Sequence, residues 1–147
     1  MTATATFARL HRIGSTDELR AVTVVGSLGF LAAVMMGRFG LPPVDLHGPL
    51  HHLGIMDPLC GGTRAAYYTI RGQGRQAWRY NPLGLIAVVA ASAAVARGIA
   101  GLLTGRWINL VTAWPARQRR VVVVVVLILA VVLEVRQQSI APLLMAP

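Results

Sequence analysis

Three apolar stretches, at about residues 21–41, 82–104 and 121–140, set the limits on what this 147-residue chain can fold into. Each is close to the roughly 20 apolar residues that an α-helix needs to cross ~30 Å of hydrocarbon. Apolar residues make up 55% of the chain and the mean hydropathy is +0.61, more than a soluble domain of this length would use in its core. The expected fold is therefore an all-α membrane protein. It should be a single integral membrane domain over residues 1–147, with about three transmembrane helices and a short interfacial or re-entrant helix in the connector 42–81 between the first two.

Charge narrows the partners. All 14 basic residues are arginine, against 5 acidic residues, for a net charge of +9. Arginine in place of lysine, with abundant Ala, Val and Gly, reflects a GC-rich genome and carries no mechanism. The arginines flank the apolar spans instead of forming one basic face. This excludes nucleic acid as a partner and points to membrane lipids with anionic headgroups. The first apolar run begins only after about 20 residues and ends in Gly37-Arg38-Phe39-Gly40 without a small-residue cleavage pattern, so it reads as a retained signal anchor. Placing the N-terminus in the cytoplasm puts Arg9, Arg12, Arg20, Arg106, Arg117, Arg119 and Arg120 inside. Arg38, Arg64, Arg71, Arg75, Arg79 and Arg136 are then outside. The margin is one residue, and the cluster abutting the third span decides it.

Arg97 and Glu134 are among the charges that fall within the spans. Arg97 interrupts the second near its arginine-rich end, where it should snorkel to the surface or pair with another subunit. Glu134 lies roughly 21 Å from the arginine end of the third span and about 9 Å from the opposite surface. That depth separates it from Arg97 and favours Arg136, Arg64 or Arg79 as its partner. Gly84, Ala87, Ala91, Ala94, Gly98 and Gly101 give the second span the small residues that allow helices to approach closely in lipid.

The connector holds the chemistry. Thr63 can cap a helix starting at Arg64, on which Arg64, Arg71, Arg75 and Arg79 form one stripe, with Gly72 and Gly74 bending it in the middle. Between 45 and 64 lie His47, His51, His52, Asp57 and Cys60, a set of side chains that tetrahedral Zn²⁺ accepts. No cofactor is fixed by this pattern, and Zn²⁺ is the candidate. Gly61, Gly62, Thr63 and Arg64 at a helix start, with Asn81 and Glu134, form a second candidate set for an anionic headgroup or a partner chain. The same glycines also suit a tight turn against a neighbouring helix. Cysteine catalysis needs a base oriented by a third group, and no such constellation is complete, so the chain reads away from an enzyme.

Asp57-Pro58-Leu59-Cys60-Gly61-Gly62-Thr63-Arg64-Ala65, followed by Asn81-Pro82-Leu83, resembles an uncharacterised family of short bacterial multi-pass membrane proteins, a domain of unknown function with a CPxCGxTRA motif and a downstream NPL. Asp57 stands where that family has its first cysteine, which removes the thiol pair. The resemblance implies a bacterial plasma membrane location and no established activity. Three short helices enclose little interior, so the expected role is a non-catalytic accessory or interaction subunit, joined to other membrane protein subunits or to itself. The alternative is a metal-binding or headgroup-binding protein built on the loop 45–64.

Overall fold

The computed structural model describes residues 12–42, 53–109 and 115–145. In chain order the elements are β1 (Arg12–Gly14), α1 (Arg20–Phe39), α2 (Gly62–Ile70), α3 (Gly74–Tyr80), α4 (Pro82–Thr104), β2 (Trp107–Asn109), α5 (Ala116–Ser139) and α6 (Ala141–Leu144). Among the described residues, three helices, α1, α4 and α5, are long and apolar enough to cross a membrane. The chain is thus mostly helical, with shorter helices between the first two spans, as its hydropathy implies.

Antiparallel α1 and α4 form the body. Their approach depends on small residues: a Cβ added to Gly26 would come 2.7 Å from Ala94 Cβ, and one added to Gly98 would come 2.9 Å from Thr23 Cγ2. In lipid, where apolar surface gains nothing by leaving the solvent, such close contact is what holds two helices together. α2 then packs on both. Gly37 of α1 faces Ile70, and a Cβ at Gly84 of α4 would stand 2.9 Å from the Gly62 carbonyl.

The connector helix differs in detail from the sequence expectation. It begins at Gly62, not Arg64, and is capped by Gly61 in the left-handed region (φ 76°) in place of Thr63. It also breaks into α2 and α3 at Arg71-Gly72-Gln73, with Gly72 at φ 72°. The bend expected from Gly72 and Gly74 is therefore a complete interruption. The third span starts earlier than expected, at Ala116, so Arg117, Arg119 and Arg120 lie in its first turns. Cations there oppose the helix dipole, so their position answers to a charged membrane surface and not to helix stability.

One feature departs from an all-helical fold. β1 and β2 pair antiparallel, with Ile13 opposite Ile108, at the end of the α1–α4 pair. This two-stranded clip surrounds Arg97. The Arg97 guanidinium bonds Asp17 Oδ1 and Thr23 Oγ1 at 2.7 Å, the Ile108 carbonyl at 2.6 Å and Asn109 Oδ1 at 3.1 Å. It also lies 5.7 Å from the centroid of the Trp107 ring. Asn109 extends the network by donating to the Thr16 carbonyl and accepting from the Glu18 N–H. Arg97 thus does reach toward the arginine-rich end, but its partner is Asp17 of its own chain, and its charge calls for no second subunit.

The Arg97 hydrogen bond holds the Asp17 carboxyl below its ordinary value, with Thr23 and the Leu19 N–H adding to the effect against partial desolvation. A lowered carboxyl contributes stability above its unfolded value of 3.8 and loses it as pH falls through the folded one. Arg97→Gln should therefore lower the thermal unfolding midpoint in detergent at pH 7. The difference from wild type should shrink once the pH is taken below the carboxylate range, and thermal scans across that range check it.

Candidate functional site

The motif residues converge on a buried junction at the other end of the body. Asn81 is fully buried, and its carboxamide is used at both ends. Oδ1 accepts from the backbone N–H of Leu83 (2.8 Å) and Gly84 (3.3 Å), capping α4 ahead of Pro82, which has no N–H to satisfy. Nδ2 donates to the carbonyls of Pro58 and Cys60, each at 2.9 Å. The loop 57–61 is thereby fixed to the start of the second span.

The third span locks into the same carbonyls. Gln137, also fully buried, donates from Nε2 to Cys60 O at 2.9 Å and Tyr80 O at 3.2 Å. Next to it, Gln138 accepts the Met56 N–H and donates to Gly54 O. Arg136 donates to the Trp78 and Arg79 carbonyls and to Gln137 Oε1. Three consecutive polar residues at the end of an apolar helix thus satisfy backbone carbonyls that would otherwise be stranded near the bilayer. The sequence reading missed all three roles. The signal was there, since two adjacent glutamines ending a valine-rich span need partners.

Asp57 and Cys60 are engaged in holding this loop. Asp57 Oδ1 accepts the Leu59 N–H at 2.7 Å, and its own N–H donates to Cys60 Sγ at 3.3 Å. Cys60 is 4% exposed, packed with Met56 and Leu144 beside Tyr80 and Ile140. Burial pushes its thiol up, away from the thiolate that metal ligation or nucleophilic chemistry requires. A metal ion at Cys60 would have to displace both this packing and the bond from Asp57. His47, His51 and His52 lie outside the described residues, and among the described residues no three His, Cys, Asp or Glu side chains gather into a ligand set.

The second candidate set divides. Gly61 serves close approach, since a Cβ there would meet Leu144 at 2.8 Å and Tyr80 O at 3.1 Å, while a Cβ at Gly62 would meet open space and it is Gly84 that lies close to the Gly62 carbonyl. The Gly62 N–H is already given to Leu59 O at 2.9 Å. Thr63 lies in the first turn of α2, and Arg64 stacks its guanidinium 5.6 Å from the Tyr80 centroid, against the ring that also stacks on Tyr68. Glu134 is elsewhere, exposed on α5. Arg136, expected as its partner, is spent on carbonyls. Beside the junction, an apolar groove of about 290 Å³ runs between α1, α2 and α4, lined mainly by small residues such as Gly29, Ala33 and Ala87.

The class these features define is a helical membrane protein with three candidate spans, its polar loop closed into a structural junction. A family described as "Protein of unknown function (DUF2752)" matches residues 49–95, less than half of the chain. That stretch holds the whole of α2 and α3, the junction loop and the first half of α4, so over it the chain is similar to an uncharacterised domain family. No curated protein and no solved structure matches the chain.

Two outcomes follow from the junction. Asn81→Asp keeps the helix cap but removes both donors to Pro58 and Cys60, and should destabilise the protein by about 2–3 kcal/mol, read as thermal unfolding in detergent, where a cap alone would be preserved. Cys60 should resist maleimide in the folded protein from either face of the membrane and react on denaturation. Gln137→Ala, by loosening α5 and Leu144 over the thiol, should raise the labelling rate without denaturant.

Proposed function

We propose that this chain is a non-catalytic membrane subunit that assembles with another membrane-embedded chain through its third span. The observation that supports this reading is the state of α5. Among the described residues, its hydrogen bonds to the body come from Arg136, Gln137 and Gln138 at its C-terminal end, and it packs extensively against neither α1 nor α4. From Val121 to Leu129 every residue is exposed, on all sides of the helix. Lipid can surround such a helix, but it cannot satisfy a carboxylate on its flank, and Glu134 has no hydrogen bond or ion pair among the described residues. The junction supports the same reading from another direction, since its polar groups are bonded to one another and serve to position helices.

The chain is read as a multi-pass protein of a bacterial plasma membrane with its N-terminus in the cytoplasm. Arg117, Arg119 and Arg120 at the start of α5 support that orientation, because a cluster directly abutting a span weighs most in the positive-inside rule.

Purification in mild detergent, with the mass of the intact complex measured, tests the role. A stoichiometric second polypeptide, of any sequence, is the expected result, and a lone monomer overturns the reading. For orientation, Arg75→Cys places a thiol on exposed α3. It should label with an impermeant maleimide on intact cells. Labelling only after permeabilisation would place the connector in the cytoplasm.

A further inference from the structure

We infer that the partner is a second copy of this chain, with α1 of one copy lying along α5 of the other and Arg38 of each paired with Glu134 of the other. The inference rests on the subunit reading above and names its partner.

Arg38 and Glu134 are the complementary pair that the single chain leaves apart. Both are exposed, and neither has a hydrogen bond or ion pair among the described residues. They also stand on helices that do not pack together. The two helices run in the same direction: α5 follows β2, which pairs with β1 beside the start of α1, and it ends at the junction beside the end of α1.

Their depths agree. The contacts of Gly26 with Ala94 and Ala91, and of Gly98 with Thr23, set the antiparallel register of α1 and α4. In that register Arg38 falls abreast of Leu83, in the first turn of α4. Gln137 is held at the carbonyls of Cys60 and Tyr80, just before Asn81. Glu134 is about 4.5 Å deeper along α5, which also brings it abreast of the first turn of α4. A two-fold axis along the membrane normal preserves depth, so it carries Arg38 of one copy to the level of Glu134 of the other and makes the contact twice.

The surfaces leading to the two charges match as well. At 100° per residue, Leu31 and Val34 share the face of Arg38, and Leu127 and Val131 share that of Glu134. All four are exposed. Each helix therefore presents an apolar stripe that ends, at one level, in one charge of opposite sign. A guanidinium and a carboxylate at the edge of the hydrocarbon are each expensive alone and satisfy one another when paired.

The experiment uses full chains carrying two different tags, co-expressed in membranes. One copy carries Arg38→Cys and the other Glu134→Cys, and a copy with only its buried Cys60 is the control. Mild oxidation should give a disulfide between the two tags, and no such product overturns the inference. In detergent, Arg38→Glu or Glu134→Arg alone should weaken self-association by about tenfold or more, and the two together should restore it. Neither residue has a hydrogen bond or ion pair to lose among the described residues, so folding should be preserved. Single variants that associate like wild type overturn the pairing. Purification of wild type with a different membrane polypeptide and no self-association overturns the second copy while leaving the subunit reading intact, and a lone monomer overturns both.

Discussion

The structure depends on one backbone carbonyl, that of Cys60, which accepts from two buried carboxamides. Asn81 belongs to the start of the second span and Gln137 to the end of the third. The loop that carries Cys60 is otherwise irregular, lying where its carbonyls have little water to turn to. Side chains that donate while satisfying their own remaining atoms solve this at once. Asn81 does so completely: two acceptors take its amide hydrogens, and its oxygen covers two of the N–H groups that the first turn of α4 leaves orphaned. Asp would cap that helix as well but could not donate, and Gln would reach too far to cap. The Asn of the Asn-Pro-Leu motif is thus specified by geometry, with Pro82 beside it removing a donor that no acceptor remains to take.

The opposite end of the body is held by different means. There Arg97 gathers Asp17, Thr23, Asn109 and a strand carbonyl around one guanidinium, while the distal junction is centred on two neutral carboxamides, those of Asn81 and Gln137. A charged network near a surface rich in arginine is tolerable because Asp17 is retained there as an ionised carboxylate. The Asn81 and Gln137 carboxamides have no such dependence on protonation. The two ends of the α1–α4 pair should therefore fail under different conditions, acid at one and loss of side-chain shape at the other.

The spans were legible because hydropathy over 20 residues is a strong signal, and the close approach of α1 to α4 was written in Gly26, Ala94 and Gly98. The β1–β2 clip was not, since three-residue strands carry no periodicity. Arg97 was expected to snorkel to the surface or to pair with another subunit, and it reaches toward the arginine-rich end to bond Asp17 of its own chain. Asp17 and Glu18 are the two acids that precede the first span, and elimination among five carboxylates would have narrowed the choice to these two. The loop was read for its ligand types, and Asp57 and Cys60 do interact, but as donor and acceptor of a turn. Composition tells which atoms are available; whether they face a ligand or each other is set by packing, here by Leu144 closing over Cys60 from a helix far along the chain.

That packing also explains why α5 stands apart. Within the body, helices approach closely at glycines, as at Gly26 against Ala94 and Gly84 against Ala65. α5 offers six consecutive valines, Val121 to Val126, and only Ala130 among small residues between Arg120 and Ser139. Branched side chains all around a helix hold its axis away from a neighbour that needs backbone contact. α5 therefore does not replace either member of the α1–α4 pair, and among the described residues it bonds to the body where its apolar run gives way to Arg136, Gln137 and Gln138. The chain thus has a rigid two-helix unit built on small residues and a third span built for a wider contact. Val and Leu stripes suit packing at that wider spacing, where side chains interdigitate and backbones stay apart. The flank of α1 that carries Leu31 and Val34 is of the same kind, exposed and branched, and differs from the Gly26 and Ala33 face turned to the body.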